Sequence, residues 1–227
     1  MGLYKEGIQQ AREASEIFER LGDTAEQAER LISLAYVLHD DKQLDAAQEA
    51  ALRAIDLLPE KGKQFQVCQG HRILGNIYHS KGNTEKAIHH YEVALEIASL
   101  LNLDGQLFLV HFALAGMFSG EGRFDKAFAH IEHAKSHAIN DAFSLGRAME
   151  LQANVWYKQC MFEKAKLEAS HAVDVYEKLG AAQNLGGCRE LLQRIDEKMG
   201  NPVVSGSDVD SELLETLPPP ACINVSF

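Results

Sequence analysis

The sequence predicts an all-α protein built from repeated pairs of antiparallel helices, and two observations lead to this fold class. Four 15-residue strings superpose without gaps and carry alanine at their fifth and twelfth positions, and a second helical string precedes each of them. Pro59 is the one proline among the first 200 residues, whereas the other four lie in the last 27. Proline breaks helices, and because the first 200 residues contain only one, this part of the chain can be helical almost throughout.

The alanine-bearing strings recur in register, at steps of 40, 40 and 38 residues. They are QLDAAQEAALRAIDL (43–57), NTEKAIHHYEVALEI (83–97), RFDKAFAHIEHAKSH (123–137) and MFEKAKLEASHAVDV (161–175). Small residues on one helix allow close approach of a second helix whose large side chains fill the gap. The upstream strings supply a pair of residues followed three positions later by a large one: Leu34-Ala35 and Leu38, Leu74-Gly75 and Tyr78, Leu114-Ala115 and Phe118, Gln152-Ala153 and Trp156.

The turn inside each helix pair has its own signal. Gly82 and Gly122 occupy the same place between the two strings, and Lys42 and Cys160 stand there in the other copies. Glycine adopts the positive φ angle that a tight turn needs at no steric cost. We therefore expect a left-handed residue at this position.

These residues resemble the tetratricopeptide repeat (TPR) family, and the resemblance covers roughly residues 1–199. It implies a right-handed α-solenoid, the TPR superhelix. The usual TPR period is about 34 residues, and the longer period here is similar to the repeats of kinesin light chains, spindle-orientation adaptors and the sensor regions of signalling ATPases. The predicted organisation is helix B of an incomplete leading repeat (1–22), four repeats (23–60, 61–102, 103–140, 141–180), a capping helix (181–199) and a disordered, acidic, proline-rich tail (200–227).

The two ends of the repeat array carry further expectations. Residues 4–22 match the last helix B string without a helix A before them, so we expect the chain to be the C-terminal piece of a longer protein. The apolar stripe of this first helix would then lack a partner and could mediate self-association. The stripe comprises Ile8, Ala11, Ala14, Ile17 and Phe18. In the capping helix, Leu191, Leu192 and Ile195 are expected to face inward and Arg194 outward.

Composition excludes several classes of function. The net charge of -11 disfavours nucleic acid and anionic membranes as partners, because both require a positive surface. The longest apolar stretch, 107–118, is too short to span a bilayer. The four cysteines show no metal-ligand spacing and the chain has no signal-peptide pattern, so a cytoplasmic location is expected.

We expect neither catalysis nor a cofactor or metal. No catalytic motif is present, and the carboxylates are scattered over helix faces. His130, His133 and His137 have a spacing that could ligate a metal. Their register instead places them, with His90 and His171, on the outer face as solvated side chains.

The resemblance places ligand binding in the concave groove lined by the first helix of each repeat, helix A. The implied groove residues are Tyr36, His39, Gln69, Arg72, Asn76, His79, Leu109, Phe112, Arg147, Glu150, Asn154 and Tyr157. The two asparagines could bond a peptide backbone, the two arginines could pair with acidic groups, and Leu109 with Phe112 offers an apolar patch.

The leading functional hypothesis is a non-catalytic scaffold that binds a segment of a protein partner in this groove. The alternative is a ligand-sensing or autoinhibitory C-terminal region of a multidomain signalling ATPase. That alternative predicts a GxxxxGK[ST] loop upstream of residue 1 in the full-length protein.

Overall fold

A computed structural model of the chain describes residues 2–58, 63–138 and 140–200. In these residues it contains ten α-helices and no strand. The helices are α1 (Gly2–Leu21), α2 (Thr24–Asp40), α3 (Leu44–Leu57), α4 (Gln64–Ser80), α5 (Thr84–Leu100), α6 (Asp104–Gly120), α7 (Phe124–Ser136), α8 (Ala142–Lys158), α9 (Phe162–Leu179) and α10 (Ala182–Lys198). The predicted all-α fold class is confirmed, whereas the tail predicted after Gly200 lies outside the described residues.

The chain divides into two compact units, Met1–Glu121 and Gly122–Phe227, here called the N-terminal and C-terminal units. In the N-terminal unit α2 pairs with α3 and α4 with α5, while α1 packs on α2. Helix α4 also contacts both α2 and α6, so α2, α4 and α6 lie side by side. We call the surface that these three helices share the A-helix face of this unit.

The alanine stripes of the sequence lie at the interfaces within the helix pairs. Ala47 and Ala54 of α3 and Ala87 and Ala94 of α5 are completely buried. Two antiparallel helices come this close only where one of them lacks side-chain bulk. The repeated alanines are therefore packing residues of the core.

The second repeat uses a glycine for the same purpose. Tyr91 of α5 is almost fully buried, and its ring lies against Gly75 of α4, where an added Cβ would be 2.5 Å from two ring carbons. The other repeats carry alanine at the position of Gly75, namely Ala35, Ala115 and Ala153. The glycine thus makes room for the tyrosine ring.

The C-terminal unit repeats this design. Helix α8 pairs with α9, α10 packs on α9 and contacts α8, and α7 packs on α8. Ala165 and Ala172 of α9 are completely buried. Tyr176 of α9 packs on Gly146 of α8, where an added Cβ would be 3.0 Å from the ring.

The turn within each helix pair contains the left-handed residue that the sequence predicts, including the two turns that lack glycine. Gly82 and Gly122 have φ angles of 74° and 72°, and Lys42 and Cys160 adopt 64° and 58° at the same register position. A left-handed conformation costs a residue with a Cβ atom roughly 1–2 kcal/mol. The turn geometry therefore persists where the sequence no longer supplies glycine.

Helix α1 is better covered than its sequence suggested. Ile8 is buried in the core cluster of the N-terminal unit, and Ala11 packs against it. Because α2 packs along α1 as each helix A packs on the preceding helix B, the expectation of a wholly unpartnered stripe is wrong. Ile17 is still 46% exposed.

Candidate partner-binding face

The predicted groove residues of the first three repeats all lie on helices of the A-helix face. Tyr36 and His39 belong to α2, and Leu109 and Phe112 belong to α6. Helix α4 between them carries Gln69, Arg72, Asn76 and His79. Their register follows from the 40-residue period, which places equivalent residues on neighbouring helices.

Arg72 connects the three helices of this face. Its guanidinium lies over the Tyr36 ring of α2, with 5.1 Å from Cζ to the ring centroid. Its Nε donates a hydrogen bond of 3.0 Å to Gln106 Oε1 of α6. The Tyr36 hydroxyl in turn donates to the Gln69 carbonyl at 3.4 Å. The guanidinium is thus held in one place by contacts that use only part of its donor capacity.

No carboxylate among the described residues pairs with Arg72. Arg30 and Arg53 of the same unit do form ion pairs, with Glu26 and Glu19 respectively. In a chain with 33 acidic and 22 basic residues, a half-buried arginine without a carboxylate is notable. Its remaining donors can bind a carboxylate from outside, because the planar guanidinium matches that group in a two-bond geometry.

Two titratable side chains beside Arg72, the Tyr36 phenol and the Cys68 thiol, are neutral near pH 7. Burial raises the pKa of Tyr36, while the Arg72 charge partly opposes this shift. Burial also raises the pKa of the Cys68 thiol to about 11, although the charge of Arg72 partly opposes this shift as well. The thiol donates to the Ala94 carbonyl at 3.4 Å. Within this group of three side chains, Arg72 is therefore the charged one.

The two predicted asparagines are only partly available to a ligand. Asn76 Oδ1 accepts a 2.7 Å hydrogen bond from the hydroxyl of Tyr91. In the C-terminal unit, Asn154 Nδ2 donates to the Glu150 carbonyl at 2.9 Å. Each amide has one half engaged in the fold, and binding of a peptide backbone by the other half remains a prediction.

The predicted apolar patch lies on α6. Leu109 and Phe112 are half-buried, and Phe112 stacks on the buried Phe108 with ring centroids 5.7 Å apart. One turn further along α6, a Cβ added to Gly116 would meet no atom within 4 Å. An alanine at position 116 would therefore fit without a clash.

In the C-terminal unit, α8 carries Arg147, Glu150, Asn154 and Tyr157. Glu150 Oε2 accepts a hydrogen bond of 2.9 Å from Tyr176, so this carboxylate takes part in packing α8 against α9. Arg194 of α10 lies over the Tyr157 ring, with 4.8 Å from Cζ to the centroid. Arg194 itself is exposed, as the sequence predicts.

Arg194 shares two features with the half-buried Arg72. Each arginine lies over a tyrosine of the preceding helix A, and Arg194 also pairs with no carboxylate among the described residues. Helix α10 packs on α9 and also contacts α8, which brings Arg194 to the Tyr157 ring. Arg194 lies 40 residues after Asn154, so its register position in the repeat differs from that of Arg72.

Of the five histidines predicted to face outward, His133 and His171 are exposed, whereas the other three are half-buried: His90, His130 and His137. His90 is half-buried, its Nδ1 lies 3.0 Å from Nδ1 of His71, and its ring stacks on Tyr78. Burial, together with His71, His89 and Lys86, lowers the pKa of His90 to about 4. The described residues contain no group of three side chains able to hold a metal ion.

None of the helices in the described ranges combines the length and the apolar content that crossing a bilayer requires.

Comparisons with known proteins place this geometry in context. The family model of SNAP, soluble NSF attachment protein, matches residues 4–145, which is more than half of the chain. No curated protein sequence matches. Among solved structures, BtubC (BKLC) from P. vanneervenii is similar with a TM-score of 0.65 and 16% identity over 94% of this chain and 99% of that one.

Two further structures share the fold. A Rap protein complexed with Competence and Sporulation Factor has a TM-score of 0.60 and 14% identity over 84% of this chain. Aspartyl phosphate phosphatase F from Bacillus subtilis has a TM-score of 0.58 and 14% identity over 92% of this chain. This chain spans 58% of the length of each of these two proteins. The comparisons support a TPR-like helical repeat.

Proposed function

Because the chain belongs to the SNAP (soluble NSF attachment protein) family, we propose that it is a non-catalytic scaffold that binds a segment of a protein partner on its A helices. The observation that carries the proposal is Arg72. A guanidinium fixed between three helices, without a carboxylate of its own, is suited to an acidic group of the partner. A Rap protein complexed with Competence and Sporulation Factor provides a precedent for ligand binding by this fold.

The partner segment is an acidic stretch with an apolar residue. Arg72 binds its carboxylate, and Leu109 with Phe112 receives the apolar side chain. In the C-terminal unit, the exposed Arg194 offers a second guanidinium, which lies over the Tyr157 ring. The net charge of -11 argues against nucleic acid and anionic lipid as partners. The protonated thiols of Cys68 and Cys188 argue against thiol catalysis.

A cytoplasmic adaptor with repeats of the long TPR type fits these properties. No observation in either unit favours the alternative role as the sensing region of a signalling ATPase. That role still predicts a phosphate-binding GxxxxGK[ST] loop in the upstream sequence.

A random peptide library tests the proposal before any partner is identified. Peptides selected from it by the full chain are expected to be enriched in Asp and Glu. Their affinity, measured by fluorescence anisotropy, should fall at least about tenfold in Arg72→Gln, because a charge-assisted hydrogen bond contributes roughly 1.5–3 kcal/mol. It should also fall with rising salt.

The matched control is Arg189→Gln, which removes the same charge from an arginine already paired with Glu177 at 2.9 Å. Asn76 is left unchanged in this experiment, since its loss would leave the buried Tyr91 hydroxyl unpaired. Equal affinities of the wild type and Arg72→Gln would refute the proposal.

A further inference from the structure

A cavity of about 260 Å³ lies in the N-terminal unit, away from the A-helix face, between α1 and α3. Leu31, Leu34 and Leu38 of α2 form its apolar floor, together with Ala46 and Ala50 of α3. Charged side chains of α1 and α3 form its rim: Arg12, Glu16, Glu19, Glu49 and Arg53. No contact described above for the partner-binding face involves this cavity.

The next repeat shows what occupies the equivalent space. A shift of 40 residues along the sequence replaces Leu31 by His71, Leu38 by Tyr78 and Ala50 by His90. In that repeat the His90 ring stacks on Tyr78 at 5.2 Å with an interplanar angle of 2°, and it lies 5.2 Å from the His71 ring. Planar rings of α4 and α5 thus occupy the positions at which α2 and α3 carry the smaller Leu31, Leu38 and Ala50 beside the cavity.

The size of the cavity defines the ligand further. An apolar cavity of about 150 Å³ accepts benzene, and drug-sized ligands occupy roughly 300–1,000 Å³. A volume of about 260 Å³ therefore suits a ligand between these limits, such as one bicyclic ring.

The rim of the cavity defines the charge of the ligand. Glu19 and Arg53 form an ion pair of 2.7 Å between α1 and α3, so their charges compensate each other. Glu16 and Glu49 then face a single cation, Arg12. This excess of carboxylate favours a ligand with a positive charge or with N–H donors.

We propose that the cavity between α1 and α3 binds a small aromatic amine. The ring lies on the leucines of α2 in the place that imidazole and phenol rings fill in the second repeat. The amine lies at the rim beside Glu16 and Glu49. This site is independent of peptide binding at Arg72.

The test follows leucine methyl signals of the full chain by NMR during titration with tryptamine. Tryptamine should shift the methyl signals of Leu31, Leu34 and Leu38 with a dissociation constant on the order of 1 mM. Indole-3-acetate, which has the same ring and the opposite charge, should bind at least tenfold more weakly. Butylamine, which has the charge without the ring, should leave these methyl groups unshifted.

Two variants complete the experiment. Ala50→His introduces the residue that the second repeat carries at this position, and it should abolish binding of tryptamine. Glu49→Arg alters only an exposed side chain and should reverse the preference between tryptamine and indole-3-acetate. If circular dichroism shows that Ala50→His does not fold, the proposal is tested by Glu49→Arg alone, through its reversed preference between tryptamine and indole-3-acetate.

Several results would overturn the proposal. They are the absence of methyl shifts with tryptamine, equal binding of the acetate or of butylamine, and an unchanged preference in Glu49→Arg. Equally tight binding of N-acetyltryptophan amide would assign the cavity to an aromatic side chain of a protein partner instead. None of these results bears on Arg72→Gln, so failure here is distinguishable from failure of the proposed function.

Discussion

Replacement of Gly75 by alanine tests the packing of the second repeat. An added Cβ would lie 2.5 Å from Cδ1 and Cε1 of Tyr91 and 2.9 Å from Cζ. Carbon atoms pack at about 3.5–4.0 Å, so the ring would have to move by about 1 Å. The ring has little freedom to do so, because Tyr91 is 1% exposed and its hydroxyl is bound to Asn76.

We expect Gly75→Ala to lower the free energy of unfolding by about 1–3 kcal/mol, the usual cost of overpacking a core. The matched control is Gly116→Ala in α6, where the added Cβ meets no atom within 4 Å. That variant should gain about 0.5–1 kcal/mol, since alanine favours the helix more than glycine does. The same chemical change is thus predicted to have opposite signs at two positions of one unit.

The assay is urea unfolding followed by circular dichroism at 222 nm. Midpoints are compared as well as extrapolated free energies, because repeat arrays can depart from two-state unfolding. A second pair of chains carries Tyr91→Ile, the residue present at the equivalent position Ile131. In this background Gly75→Ala should no longer destabilise. Destabilisation of equal size with and without the tyrosine ring would refute the reasoning.

Three other predictions concern the turns, the histidine pair and the second tyrosine. Lys42→Gly should stabilise the chain by about 1 kcal/mol while Lys42→Ala should not, because the positive φ angle penalises any Cβ atom; urea midpoints of both variants measure this. Since the pKa of His90 lies below its unfolded value of 6.5, the unfolded chain binds more protons, and stability should fall as pH drops from about 6.5 towards 4. His90→Gln should weaken this dependence, and an identical pH profile would contradict it. Tyr176→Phe should cost about 1–2 kcal/mol through the lost hydrogen bond to Glu150, and an unchanged urea midpoint would count against that contact.

The helix pairs could be predicted from the sequence because they depend on local spacing. Alanines seven residues apart identify an interface by themselves, and the turn position is marked by Gly82 and Gly122. The left-handed angle of Lys42 also followed from register, since the helices on either side impose the turn.

The detailed chemistry of the face could not be predicted in this way. Asn76 occupies a ligand-facing register position, but its hydrogen bond depends on a tyrosine 15 residues away in the next helix. His90 lies on the flank of its helix, and its burial depends on His71 and Tyr78 of the partner helix. The position of Arg194 over Tyr157 required knowing that α10 packs beside α8. A helical period indicates which residues share a face, whereas the contacts depend on the neighbouring helix.

The central claim, that a partner segment binds on the A helices, is tested most directly by site-specific photo-crosslinking. Para-benzoylphenylalanine replaces Leu109 on α6 in one chain and the exposed Leu52 on α3 in another, and both are irradiated with a peptide selected by the wild type. We predict crosslinking from position 109 that is lost when Arg72→Gln is added, and none from position 52. Crosslinking from position 52, or crosslinking from position 109 that does not respond to Arg72→Gln, would contradict the account.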